Sequence, residues 1–298
     1  MTKALTLFCI AWACLINLSL AADSSLNIAK IEELAGVKGK LNEKEGVFKI
    51  TLPRTDIQAT VAGVKMNPEL GLGAWAAFTK AGDHVMVMVM GDMVLLEEQV
   101  NPVMSAALDN GLEVTALHNH FLWDSPRIMF MHIGGTGDEL TLAKAVGQVF
   151  NKLKVTCDTK PEAPNTNIDP MNSSLDPKKI EAIIGTAGSM KDGVYKIVIG
   201  RKAKMGDHEV GKEMGINTWA AFAGSDAKAI VDGDFAMLEN EVQGVLKVLR
   251  GAGINIVAIH NHMINETPRY VFLHYWGVGA SPDLAKALKA ALDTQSMQ

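Results

Sequence analysis

The chain is built from two copies of one segment, and this duplication restricts the folds that it can adopt. From Gly91-Asp92 onward the second copy follows the first at a constant distance of 142 residues, so that Gly233-Asp234 takes the equivalent place. Each copy is therefore expected to form the same structural unit, and residues that recur in both are candidates for a shared role. The matching segments are 46–50 with 193–197, 75–78 with 219–222, 118–120 with 260–262, and 126–127 with 268–269.

A proline-rich stretch separates the two copies. Residues 156–177 contain four prolines among Asn, Ser, Thr and Asp, a composition that cannot form a packed core and is typical of a linker. We therefore predict a repeat domain over residues 23–155, a linker over 156–177 and a second repeat domain over 178–298.

The first 22 residues have the pattern of a signal peptide. Lys3 precedes an uncharged apolar run over residues 4–20, and the small residues Ala21 and Ala22 follow it. We expect cleavage there, which leaves no stable transmembrane anchor and places the protein in the periplasm or outside the cell; an uncleaved anchor is the alternative. Cleavage also leaves Cys157 as the single cysteine, so that no intramolecular disulfide can form.

Composition excludes some classes of protein. A hydrophobic content of 48% with 20% charged residues describes a globular chain that can bury a core. The net charge of −5, without a run of basic residues, argues against nucleic acid as the main partner.

The order of apolar and polar residues predicts an α+β fold, with a mainly antiparallel sheet covered by helices in each of two tandem copies. In the first copy we expect a Gly-rich break over 134–137 between the last strand and the last helix, and we assign the alternating Met86, Met88 and Met90 to core packing instead of a copper(I) site. Trp75 and Trp219 are expected to be core anchors or to line the mouth of a pocket. The predicted helices are 28–35, 97–110 and 139–150, and the predicted strands are 47–52, 74–79, 84–90, 112–121 and 128–133.

Six of the eight histidines fall at matching positions of the two copies. Residues i and i+2 of a strand share a face, so His118 is expected beside His120, and His132 on the returning strand can join them. Three imidazoles that converge from two strands suit a divalent transition metal, with zinc among the candidates beside copper, iron and nickel. The predicted metal ligands are His118, His120 and His132 in the first copy and His260, His262 and His274 in the second; a structural hydrogen-bond network is the alternative.

Carboxylates and arginines accompany the histidines in both copies. Glu97 and Glu239 begin the helix that precedes each histidine strand, and we predict them as general bases or additional ligands. Arg127 and Arg269 follow a proline next to the histidines, where a guanidinium can grip an anionic substrate in a bidentate manner. The alternative for these arginines is a salt bridge that fixes the hairpin.

The motifs resemble those of a bacterial protein family. Residues 116–121, then Pro126-Arg127, then residues 130–135 are similar to segments of the LppY/LpqO family, as are the Trp-Ala-Ala-Phe segments. The resemblance implies an exported protein with a duplicated domain of unknown function. Members are sometimes labelled peptidoglycan-binding or occur beside metal or oxyanion resistance genes.

Three functions are compatible with these observations. The leading hypothesis is an exported metal-binding protein with a His-rich site in each repeat, and its more specific form is a metal-dependent hydrolase that acts on an anionic substrate. The alternative is a non-enzymatic module that binds a cell-wall fragment or a small anion. In a third interpretation the histidine hairpins form a contact between repeats or between chains.

Overall fold

The computed structural model describes residues 25–82, 86–156 and 166–296. The predicted signal peptide, Cys157 and much of the predicted linker lie outside these residues. Within the described part, no helix combines the length and apolar character that a membrane crossing requires.

In its described residues, the first repeat comprises three helices and nine strands. Two short 3-10 turns, Pro68–Leu70 and Glu97–Gln99, interrupt the connections. The elements in chain order are α1 Ile28–Ala35, β1 Gly39–Asn42, β2 Val47–Pro53, β3 Thr60–Val61, β4 Val64–Lys65, β5 Gly73–Lys80, β6 Val87–Leu96, α2 Val100–Asp109, β7 Glu113–His118, β8 Asp124–Ser125, β9 Ile128–Gly137 and α3 Glu139–Val155.

The second repeat follows the same order. A 3-10 turn, Lys212–Met214, takes the place of Pro68–Leu70. The elements are α4 Pro177–Ile184, β10 Ser189–Lys191, β11 Val194–Gly200, β12 Ala203–Met205, β13 His208–Val210, β14 Asn217–Gly224, β15 Ala229–Leu238, α5 Val242–Gly251, β16 Asn255–His260, β17 Glu266–Thr267, β18 Tyr270–Gly279 and α6 Ser281–Leu292.

The two repeats share one twelve-stranded sheet. Its order is β1-β2-β5-β6-β9-β7-β16-β18-β15-β14-β11-β10, so the second half mirrors the first across the pair β7 and β16. All neighbours pair antiparallel, and the two halves join where Leu117 lies opposite Ile259. The α+β class with a large antiparallel sheet is confirmed, and the structure adds that the two predicted sheets are continuous.

The helices cover one face of this sheet because strand alternation sends apolar side chains to that side. In β5, Ala74, Ala76 and Phe78 are fully buried against the helices, whereas Trp75 points to the opposite side. The helix ends carry their own signals: the Asp138 side chain accepts a hydrogen bond from the Thr141 amide at the start of α3.

The opposite face is only partly covered. We call the open face the side of the sheet that presents Trp75, Asp92 and His132, together with the equivalent residues of the second repeat. In each repeat a small three-stranded sheet, β4-β3-β8 or β13-β12-β17, accompanies a satellite core on this side. The satellite cores include Phe130 of β9 and Phe272 of β18, over which the small sheets pack. The histidines lie at the edge of this cover, where the sheet becomes accessible.

Three local predictions were wrong. The strand predicted over 112–121 ends at His118, so His120 lies in the following loop. The residues predicted as a glycine-rich break belong to β9, which continues to Gly137 because it pairs with β6 along its whole length. The methionines do not pack in the core: Met88 is 40% and Met90 60% exposed on the open face, because it is the intervening valines that face the helices.

Candidate functional site

Strand register brings an aspartate and two histidines together in the second repeat. Asp234 of β15 lies directly opposite His274 of β18, and both face away from the helices. His274 in turn lies opposite Ala258, two residues before His260 on β16. Alternation along β16 therefore places His260 on the same face, one strand away from His274.

These three side chains form a group that could hold a metal ion. One ligand atom from each of Asp234, His260 and His274 lies within 4.8 Å of the others. Asp234 is buried, and the two histidines are half-buried. Carboxylate and imidazole donors in this number suit zinc and other divalent transition metals.

His262 joins the group from the loop that follows β16. Its Nε2 lies 3.1 Å from Oδ2 of Asp234, and its Nδ1 lies 3.1 Å from the carbonyl oxygen of Gly215. The ring stacks on Phe272 with 3.6 Å between ring centroids, which fixes its plane. A third imidazole nitrogen therefore faces the same carboxylate.

In each of the three imidazoles, Nδ1 faces a backbone carbonyl oxygen. Besides the contact of His262, Nδ1 of His274 lies 3.3 Å from the carbonyl oxygen of Gly233, and Nδ1 of His260 lies 3.4 Å from that of Asn261. A ring that donates from Nδ1 presents a lone pair at Nε2, which is the arrangement that metal-ligating histidines adopt. Among the described residues, Oδ1 of Asp234 and Nε2 of His260 are buried without a hydrogen-bond partner.

Burial shifts the pKa values of two members of the group in opposite directions. Burial raises the pKa of Asp234 above its ordinary value, although the imidazoles of His262, His274 and His260 act in the opposite direction. Burial also lowers the pKa of His260, which favours its neutral form. A neutral imidazole is the form that binds metal, and a buried carboxylate is costly unless a positive charge accompanies it.

The first repeat has the same residue types in a similar arrangement, with Asp92 opposite His132 as Asp234 lies opposite His274. The rings of His120 and His132 lie 5.1 Å and 5.2 Å from the ring of His118, and His120 stacks on Phe130 at 3.4 Å. Burial raises the pKa of Asp92 there as well. In the described part of the chain, however, the second repeat alone brings one carboxylate and two imidazoles so close that their ligand atoms lie within 4.8 Å of one another.

The predicted glutamates and arginines lie on the surface, outside the group of candidate metal ligands. Glu239 and Arg269 face each other at 3.7 Å on the surface, with side chains 69% and 60% exposed, as in the salt-bridge alternative. Glu97 and Arg127 are exposed as well. None of the four belongs to the group around Asp234, and their predicted roles as bases and substrate ligands stay predictions.

Asp92 and Asp234 were not predicted as site residues. The signal was present, because the Gly-Asp pair recurs at the same distance from the histidines in both repeats. An isolated aspartate in an apolar stretch gives no indication of its neighbours until the register of the strands is known. Trp219 was assigned a place in the core or at a pocket mouth, and it lines a groove beside Asp234.

Together, the fold and the site define a duplicated α+β protein with a candidate His/Asp metal centre in its second repeat. The chain belongs to the family described as Domain of Unknown Function (DUF1259), whose model matches residues 29–152 and 178–294. The two matched regions agree with a duplicated domain. Comparison with curated proteins and with solved structures found no match.

Proposed function

We propose that this chain is an exported metal-binding protein whose second repeat acts as a metal-dependent hydrolase on an anionic substrate. The observation that carries the proposal is the convergence of Asp234, His260 and His274, whose ligand atoms lie within 4.8 Å of one another. His262 supplies a further nitrogen beside the same carboxylate.

Each ligand would have a defined task. Asp234 would neutralise part of the metal's charge, and the imidazoles would hold the ion through Nε2 while their Nδ1 atoms stay anchored on backbone carbonyls. A metal bound in this way would supply Lewis-acid activation of water and of a substrate oxygen. The site faces the open side of the sheet, so a substrate can reach it without displacing the core.

The donor set favours zinc among the divalent metals. Imidazole nitrogen with one carboxylate oxygen is a common environment for zinc, although iron, copper and nickel accept the same donors. The sequence of residues 1–22 supports export to the periplasm or the medium, as does the resemblance to the exported LppY/LpqO proteins. The N-terminal residue of the secreted protein, determined by mass spectrometry, tests this part: Ala22 or Asp23 is expected, and Met1 would contradict it.

Hydrolysis is tested with the mature protein and chromogenic esters. We expect zinc-loaded protein to release p-nitrophenol from a phosphate or carboxylate ester, to lose this activity with a chelator and to regain it with zinc. His274→Ala should abolish turnover, whereas His132→Ala at the matched position of the first repeat should retain it.

The other outcomes assign a different role. Stoichiometric zinc binding without turnover of any ester would leave a metal-dependent binding module and contradict the hydrolase. Turnover that survives His274→Ala would place the chemistry outside the second repeat.

A further inference from the structure

An open groove of about 350 Å³ extends from the candidate metal centre across the open face of the second repeat. Its floor is one row of the sheet, since Val198 of β11 lies opposite Trp219 of β14, which lies opposite Asp234 of β15. Asp234, His262 and Lys196 all line the groove, and Lys196 lies on β11 two residues before Val198. A volume of this size lies at the lower end of the range for small-molecule sites.

Two lysine side chains also line the groove. Nζ of Lys196 sits over the indole ring of Trp219 at 4.0 Å from its centroid, and this cation–π contact restricts where the charge can be. Lys212 stands on the wall of the groove, where its side chain is 52% exposed and lies 3.7 Å from the more exposed Glu213. Such a weak surface pair leaves the ammonium of Lys212 accessible to a ligand.

The wall that carries Lys212 is tied to the metal centre. The side chain of Asn217 donates a hydrogen bond of 2.8 Å to the carbonyl of Lys212, and His262 contacts the carbonyl of Gly215. Gly215 has a φ of +84°, a conformation that a glycine adopts without strain. The same imidazole that faces Asp234 therefore also holds the groove wall in place.

The first repeat has the same fold but lacks the second lysine and the asparagine that bonds to its carbonyl. Lys49 lies over Trp75 at 4.2 Å, as Lys196 does over Trp219. In the equivalent 3-10 turn, however, Pro68 replaces Lys212, and Gly73 replaces Asn217 at the start of the next strand. The second cation and the amide that secures it are thus specific to the repeat that gathers the metal ligands.

We infer that Lys196 and Lys212 form an oxyanion subsite, which binds a carboxylate or phosphate of a small ligand whose other end is held at the metal centre. The inference rests on the proposed function for that other end and names the substrate class: a compact molecule with two anionic or metal-binding groups. Lys196 stands two strands from Asp234 and two residues along from its row, because Lys196 pairs with Ala221 and Ala221 pairs with Asp232. With ~4.8 Å between strands and ~3.4 Å per residue along a strand, the two backbone positions are about 12 Å apart.

The test measures binding of simple dianions by calorimetry to the zinc-loaded mature protein. The probes are straight-chain α,ω-dicarboxylates and α,ω-bisphosphonates of increasing length, which distinguish the two kinds of oxyanion. Wild-type affinity should peak when the ends are about 12 Å apart, the span that the strand register gives, and fall for shorter and longer probes. The variant Lys196→Ala/Lys212→Ala should bind the best probe at least tenfold more weakly and lose the dependence on length.

Lys49→Ala is the matched control, because it removes the equivalent cation over a tryptophan in the first repeat. It should leave both affinity and length dependence unchanged. The inference is overturned if the double variant binds the dianions as the wild type does, or if Lys49→Ala weakens binding as much as the double variant.

Metal-free protein separates this inference from the proposed function. Phosphate binding that persists in chelator and disappears in the lysine variant would support the subsite even if no zinc binds. Zinc binding with a lysine-independent affinity for every probe would support the metal centre and reject the subsite.

Discussion

At the scale of single residues, each repeat buries one arginine, and the carboxylate that pairs with it stands at a different sequence position in the two repeats. Arg54 contacts Asp56, the Gln99 side chain and the carbonyl of Val94. Five residues separate Arg54 from Thr60, whereas the equivalent connection after Arg201 has only two and no aspartate. The second repeat compensates with Glu241 at the position of Gln99, and Arg201 donates to it at 2.6 Å.

We predict that Glu241→Gln destabilises the protein by about 1–3 kcal/mol at neutral pH, because it leaves a buried guanidinium without its anion. Burial acts to raise the pKa of Glu241, but the hydrogen bonds from Arg201 and two backbone amides outweigh it, and the pKa is lowered. A lowered pKa means that the ionised form stabilises the fold. This contribution is complete above the ordinary glutamate pKa of about 4.3 and is lost as the pH falls below it.

Urea unfolding of wild type and Glu241→Gln between pH 7 and pH 3 measures this effect. The difference in unfolding free energy should be largest at pH 7 and shrink toward zero in acid. Glu239→Gln, which changes an exposed glutamate two residues away, should alter stability little at any pH. A difference that is constant with pH would contradict the assignment.

At the scale of secondary-structure elements, helix α3 approaches α1 closely enough to require a glycine. A Cβ on Gly147 would lie 2.2 Å from the carbonyl oxygen of Leu34, a clash with backbone that no side-chain rotation can relieve. A Cβ on Gly251 in α5 would have no atom of another part of the chain within 4 Å. Two chemically identical changes should therefore have opposite effects.

We expect Gly147→Ala to lower stability by about 1–3 kcal/mol through overpacking, and Gly251→Ala to raise it by about 0.5–1 kcal/mol through helix propensity. Thermal unfolding followed by circular dichroism checks both variants side by side. Stabilisation by Gly147→Ala would show that α1 and α3 do not pack as described.

Individual elements were predictable from the sequence to the extent that local patterns decide them. Helix α1 was predicted with the observed bounds, because an apolar stripe ends at a glycine in the left-handed conformation. Strand β7 was predicted too long, because the apolar run gives no indication that pairing with β9 stops at His118. The histidines were found through the repeat. Asp234 and Lys196 come from other strands and Lys212 from a 3-10 turn, and only the tertiary fold brings them there.

At the scale of the whole molecule, each repeat completes the backbone hydrogen bonding of the other. The Asn101 side chain of α2 accepts from the amide of Ile256 at 2.8 Å and donates to its carbonyl at 3.2 Å. Gln243 of α5 does the same for Val114 at 3.0 Å and 2.9 Å. Both receiving residues adjoin irregularities in strand pairing and lie in the strands that carry His118 and His260. The two halves therefore depend on each other.

This mutual dependence predicts one cooperative unfolding transition for the mature chain. Asn101→Ala leaves a buried amide and a buried carbonyl of the second repeat unpaired, which should cost about 1–3 kcal/mol and shift the whole transition. Asn110→Ala, at the exposed end of the same helix, is the control and should shift it little. Differential scanning calorimetry that resolves two separate transitions would contradict the shared sheet.

We propose that the second repeat holds one metal ion through Asp234, His260 and His274. The most direct test is the zinc content per chain, measured by mass spectrometry on mature protein after zinc loading and removal of excess metal. We expect one zinc per chain in the wild type and in Asp92→Ala, and none in Asp234→Ala. Zinc that is absent from the wild type, or that remains stoichiometric in Asp234→Ala, would contradict it.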